Sequence, residues 1–122
     1  MILTIRGQLP GLNDYTKACR SNRFVGAQMK ADAEQLISLF IRNQHLEAVP
    51  GAVLISFTWY EPNEKRDPDN VAFAKKFILD ALVSNGIIEG DSRKYVKGFD
   101  DLVVTDKKNP RIVVEITHAD GL

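Results

Sequence analysis

Val53-Leu54-Ile55-Ser56-Phe57-Thr58-Trp59-Tyr60, followed by Glu61-Pro62-Asn63-Glu64-Lys65-Arg66-Asp67-Pro68-Asp69-Asn70, decides how the rest of the chain is read. In the first half Val53, Ile55, Phe57 and Trp59 alternate with Leu54, Ser56, Thr58 and Tyr60, the period of a strand buried well on one face. The second half is rich in residues that favour turns and helix caps over ladders, so the strand gives way to a loop. Beyond it Val71, Ala74, Ile78, Ala81 and Leu82 fall on one helical face, with Phe73 and Phe77 adjoining. Asp69 or Asn70 can cap that helix and Asn85-Gly86 stops it, which predicts about four turns.

Working outward, Ile2 to Arg6 predicts a first strand, closed by Gly7 and by the turn signal Pro10-Gly11. A loop to about Val25 is expected next. Met29, Ala33, Leu36, Ile37, Phe40 and Gln44 then recur at helical spacing, and Pro50-Gly51 ends that segment. Past Glu89-Gly90-Asp91-Ser92 two further strands are expected, Tyr95 to Thr105 and Ile112 to Thr117, joined by Asp106-Lys107-Lys108-Asn109-Pro110. The order β-α-β-α-β-β predicts a single α+β domain over residues 1–122, two helices packed on a mixed sheet.

With 122 residues, 44% hydrophobic and 26% charged, the chain has the composition of a globule that buries its own core. Apolar runs of four residues or fewer exclude a membrane-spanning helix, and Met1 to Arg6 lacks the pattern of an export signal. The lone Cys19 makes no internal disulfide and fits a reducing cytoplasm, the expected location. Sixteen basic and sixteen acidic residues cancel, so any nucleic-acid contact rests on local charge. Between Asp14 and Lys30 stand Lys17, Arg20, Arg23 and Lys30 against Asp14 alone, which reads as a basic loop.

Asp67, Asp69 and Asp91 are candidates for a metal site. In an extended segment, residues two apart point the same way with roots ~6.5 to 7 Å apart, so Asp67 and Asp69 around the stiff Pro68 can turn both carboxylates to one ion. Hard oxygen ligands suit Mg²⁺ or Mn²⁺, and Asp91 can close the site. Equally, acidic residues at a helix start serve the cap and the dipole with no ion present. An EF-hand loop is excluded, because Val71 and Ala72 stand where a ligand and the turn Gly are required.

Two helical turns bring Lys76 back to the Asp69 side, ~10 Å along the axis, where its ammonium can meet a phosphate; Lys76 and Asp80 are also an ordinary i,i+4 pair. Asp80, ~16 Å from Asp69, is a helix-face residue. His45 and His118 lack ligand spacing and read as solvated surface. Trp59 and Tyr60 can stack on an unpaired base but in a strand read first as core.

Arg66-Asp67-Pro68-Asp69-Asn70, then Lys76-Phe77-Ile78-Leu79-Asp80-Ala81-Leu82, then Gly86 and Asp91, resemble the signature of the RusA family of phage and prophage Holliday-junction resolvases. Pro10 with Asn13 resembles its N-terminal element, so the resemblance spans nearly the whole chain. It implies a small α+β homodimer, phage- or prophage-encoded in a bacterial host, that resolves four-way DNA junctions with Mg²⁺ or Mn²⁺ and no small-molecule cofactor. It assigns the metal to Asp67, Asp69 and Asp91 and an essential helper role to Lys76.

The pattern departs in three places. Asn70 and Asp80 are ten residues apart, about one helical turn more than in the best-known form. Counting forward from Asp69 puts the Lys at Phe73, whereas counting back from Asp80 selects Lys76. Gly90 stands before Asp91 where a second acid is common, with Glu89 one step earlier.

The expected activity is structure-specific endonucleolytic cleavage of branched DNA, the metal activating water at the scissile phosphate. Arg66, Asn13, Lys17, Arg20 and Arg23 are expected to position DNA phosphates. Two readings from other classes stand beside it: a junction-binding protein without catalysis, and a dimeric α+β interaction module whose acidic loop only starts a helix.

Overall fold

The computed structural model describes residues 1–120; Gly121 and Leu122, the end of the expected domain, lie outside the described residues. Eight elements follow in the order β1 (Ile2–Arg6), α1 (Leu12–Ser21), α2 (Arg23–Asn43), β2 (Val53–Glu61), α3 (Pro68–Ala72), α4 (Lys75–Ser84), β3 (Val96–Thr105) and β4 (Arg111–His118). The four strands form one mixed sheet in the order β1-β4-β2-β3. β2 pairs antiparallel with β4 and parallel with β3, so α3 and α4 are the crossover that a parallel pair demands.

β2 alternates as its sequence dictates, with Val53, Ile55, Phe57, Trp59 and Glu61 buried and the residues between them half-buried. Leu3 and Ile5 of β1 and Ile112, Val114 and Ile116 of β4 continue the same inward layer. Phe57 and Trp59 stack at 5.4 Å within it. The helices cover that face through Ala33, Ile37 and Ile41 of α2, Val71 of α3, and Phe77, Ile78, Ala81 and Leu82 of α4.

The α+β class and the mixed sheet agree with the expectation; the helices do not all do so. The stretch expected as a basic loop is α1, a ten-residue helix. Tyr15 and Ala18 turn inward from it, and Tyr15 meets Phe73 and Phe77 in a three-ring cluster with centroids 5.6 to 5.7 Å apart. Asn22, extended at φ −170°, breaks α1 from α2 and caps the latter by accepting from the Phe24 N–H at 2.7 Å. Leu36, expected in the core stripe of α2, faces outward, and Ile41 takes a buried place instead.

The second expected helix is also divided. Between α3 and α4 the N–H groups of Ala74, Lys76 and Phe77 donate to carbonyls three residues back, the tighter 3₁₀ pattern. Neither Asp69 nor Asn70 caps it: Asp67 is the N-cap residue, with Pro68 in the first position.

Candidate metal and nucleic-acid site

Glu61 and Asn70 are the buried polar residues among those described, and they bracket Asp67 and Asp69. Glu61 lies on the inward parity of β2, so its carboxylate needs a cation, and Arg66 supplies a two-pronged one. Its Nε and Nη2 donate to the two Glu61 oxygens at 2.8 and 2.9 Å, and its Nη1 donates to the Leu9 carbonyl at 3.0 Å. Gln8 donates to the same carboxylate at 3.2 Å. Removing one partner of such a buried pair typically costs about 3–5 kcal/mol, because the other charge is left without compensation. Arg66 is therefore turned inward to brace the loop, and its guanidinium does not point free to a phosphate.

Asn70 braces the other side. Its Oδ1 accepts from the Asn13 N–H at 2.9 Å, which satisfies a donor in the first turn of α1 from a distant element. Asp14 reaches back to the Gly11 N–H at 2.9 Å. Gly11 leaves the room this requires, since a Cβ there would stand 2.5 Å from the Asn70 Oδ1. The backbone of Asn13 is thus structural, and its side chain stays exposed.

On this braced loop Asp67 and Asp69 are both exposed. The Asp67 side chain makes no capping hydrogen bond although the residue occupies the cap position. Capping therefore does not account for its carboxylate. Asp69 sits in the first turn of α3, where the helix dipole favours a negative charge.

Asp91 lies elsewhere, with Lys76. The Lys76 ammonium is 3.7 Å from the Asp91 carboxylate and 3.1 Å from that of Asp80. Lys30 of α2 approaches Asp80 from the other side at 3.5 Å, with Glu34 4.0 Å from the Lys30 ammonium. The hydrogen bond to Asp80 raises the Lys76 pKa against the pull of burial, with the charges of Asp80 and Asp91 assisting. For Asp80 burial works upward, and hydrogen bonds and charge from Lys76 and Lys30 outweigh it and hold the carboxyl below its ordinary value. Burial raises Glu34, whose Oε1 is buried without a hydrogen-bond partner.

Among the described residues no three His, Cys, Asp or Glu side chains are grouped closely enough to hold an ion. Asp67 and Asp69 stand at the start of α3, while Asp91 meets Lys76 of α4.

Lys75 and Lys76 part company, as a rotation of ~100° per residue requires. Lys75 pairs with Asp101 on β3 and lies over the Phe57 and Phe99 rings at 5.6 and 4.8 Å. The same Asp101 accepts from the Trp59 indole N–H at 2.9 Å. Trp59 is core, and Tyr60 on the opposite face carries the Arg111 guanidinium 3.7 Å above its ring. Lys17 and Arg20 project from α1 and Arg23 from the start of α2, all exposed, with Arg23 over the Phe24 ring at 5.0 Å. His45 and His118 are exposed.

Three residues that shape the site carry no such role in the sequence: Glu61, Glu34, and Lys30, which there counts only among the cations of the basic stretch. Glu61 was findable, since an acid in phase with Val53, Ile55, Phe57 and Trp59 has to be buried and therefore paired. Lys30 and Glu34 carried no such signal, because their partner Asp80 belongs to another helix. The chain matches no family model and no curated protein.

Proposed function

We propose that the chain is a divalent-metal-dependent endonuclease acting on four-way branched DNA, as its resemblance to RusA-type resolvases implies. The observation that carries the reading is the pair Asp67 and Asp69: two exposed carboxylates on a loop braced by buried polar contacts, with no capping role for Asp67. Mg²⁺ is met by such a donor set, since it usually takes one or two carboxylates and keeps several waters. Asp67 and Asp69 would hold the ion. When bound, it supplies an activated water and neutralises charge on the scissile phosphate.

The chain's own residues do the rest. Lys76, held protonated between Asp80 and Asp91, is a fixed positive charge for the phosphate. Lys17, Arg20 and Arg23 position the strands without reading bases. Asp91, which the resemblance assigns to the metal, acts here through the Lys76 ammonium 3.7 Å away, and Arg66 acts through Glu61 as a positioning residue.

Resolving a four-way junction takes two cuts related by a two-fold axis, which a homodimer provides. Support for a second copy comes from α2, where Phe24 is 68% exposed beside an apolar groove of about 610 Å³ lined by Leu9, Pro10, Met29, Ala33 and Leu36. Phe24, Val25, Leu36 and Leu39 are all exposed along α2, which is where a second copy would seat.

A junction-binding protein without catalysis is the second reading, favoured because Asp67, Asp69 and Asp91 do not group as one ion site among the described residues. One experiment divides the two. A labelled synthetic four-way junction is incubated with the protein, first without and then with Mg²⁺ or Mn²⁺. Paired symmetric nicks on metal addition support the endonuclease, and binding without cleavage supports the alternative.

A further inference from the structure

We propose that the turn after Asp91 is a second phosphate-binding site, in which Arg93, Lys94 and Lys97 hold the sugar-phosphate backbone of a DNA strand. This rests on the nuclease reading for the identity of the polyanion, but its geometry is independent of the acidic loop.

The turn is rigidly placed. The N–H groups of Tyr95 and Val96 both donate to the Ser92 carbonyl, at 3.0 and 2.9 Å, and the Tyr95 carbonyl accepts from Val53 at the start of β2 at 2.7 Å. The Tyr95 ring lies against Gly90, where a Cβ would stand 2.8 Å from its Cδ2. That contact explains why a glycine precedes Asp91. It also fixes the turn against the backbone next to Asp91.

The ladder then gives up a residue. Val53 faces Val96 but Leu54 faces Gly98, so Lys97 is the extra residue of a bulge between β2 and β3. A bulge re-aims a side chain, and here the residue affected is a cation. Arg93, Lys94 and Lys97 are exposed, and with Val96 they line a cleft of about 350 Å³. None of the three makes an ion pair with a carboxylate among the described residues.

Three cations in five residues, none paired with a carboxylate and only Lys94 engaged, 5.3 Å over the Tyr95 ring, can be mere solvated surface. A concave cleft, a bulge at Lys97 and a pinned turn make them a preorganised set instead. The polar lining is all cationic, one guanidinium and two ammonium groups, and the ligand such a set meets first on DNA is the phosphate oxygen, which takes charge-assisted hydrogen bonds from both. Two residues of chain span at most about 7 Å, so Arg93 starts within one nucleotide's reach of Asp91. The site would hold the strand on the Asp91 and Lys76 side of the molecule.

The test compares wild type with the triple variant Arg93→Ala, Lys94→Ala, Lys97→Ala and with a charge-keeping triple, Arg93→Lys, Lys94→Arg, Lys97→Arg. Binding of a fluorescent four-way junction, and of a duplex with one arm's sequence, is followed by anisotropy without divalent ions between about 50 and 200 mM salt. The alanine triple should lose at least ~10-fold in affinity at low salt, and its plot of log K against log salt should flatten by about 2 to 3, nearly one for each phosphate that the variant no longer neutralises. The charge-keeping triple should bind as wild type does.

Wild-type affinity and slope in the alanine triple would overturn the site, as would an equal loss in the charge-keeping triple or a wild type that binds neither DNA. If the predicted losses appear but Mg²⁺ induces no cleavage by wild type, the second site stands and the nuclease reading falls. Metal-dependent cleavage by wild type together with undiminished binding by the alanine triple would leave the nuclease reading intact and remove this site alone.

Discussion

At the residue scale, the two adjacent lysines are separated by what they touch. Lys76 lies between Asp80 and Asp91, exposed enough to meet a ligand, whereas Lys75 is engaged with Asp101 and two aromatic rings. Lys76→Ala should therefore slow single-turnover cleavage by at least ~100-fold with little loss of junction affinity, by analogy with removal of a charge-stabilising donor. Lys75→Ala should leave the cleavage rate near wild type and lower stability by about 1 kcal/mol, as loss of a cation from aromatic faces does. A larger rate defect for Lys75→Ala would reverse the assignment. The sequence alone permitted this distinction only as a helical rotation; which partner each lysine would find depended on β3 and the segment at Asp91.

Glu34 makes a prediction about pH. Burial raises its pKa, so the native state binds the proton more tightly than the unfolded chain does. The carboxylate therefore costs stability at neutral pH, and the cost fades as pH falls through the raised value towards the ordinary one near ~4.3. Glu34→Gln should stabilise the protein at pH 7 by up to about 1 kcal/mol, a few degrees in Tm, and by nothing below about pH 4. Thermal melts of both proteins across that range check it. A constant difference at every pH would dissociate the effect from ionisation.

At the scale of elements, α1 and the α3–α4 break were the parts hardest to read. Gly11, Asn13, Asp14, Ser21 and Asn22 are turn and cap residues, and their density hid a helix whose inward face is only Tyr15 and Ala18. The start of α1 is completed by Asn70, fifty-seven residues beyond Asn13, and no local pattern announces that bond. Asn70→Ala should cost about 1 kcal/mol, within the usual range for losing a helix cap, and should raise amide exchange selectively in the first turn of α1. Unchanged exchange there would mean that α1 starts without its help. The tightened turn at Phe73 and Ala74 has no signal in the sequence, since Val71, Ala74 and Ile78 keep helical spacing across it. The strands were legible because β2 alternates strictly and its neighbours share its inward layer.

At the scale of the whole molecule, zero net charge leaves no global field to attract DNA, so the proposed DNA binding would rest on separate basic surfaces. Among the described residues two clusters of exposed cations are the candidates, one along α1 and the start of α2 and one at the turn after Asp91. The apolar groove on α2 belongs to the proposed self-association. Phe24→Glu should weaken the dimer at least ~10-fold, seen as a shift to monomer mass in light scattering during gel filtration, with the melting temperature nearly unchanged because the residue is mostly exposed. A wild-type mass distribution in that variant would move the interface off α2.

Asp67 and Asp69 are proposed to hold a catalytic metal beside the braced loop. That role is tested most directly by single-turnover cleavage of a four-way junction at saturating protein with Mg²⁺, wild type against Asp69→Asn. Wild type should make paired cuts that chelation abolishes, and Asp69→Asn should fold and bind the junction without cutting it. Cleavage by Asp69→Asn at the wild-type rate, or none by wild type with either metal, would contradict that role.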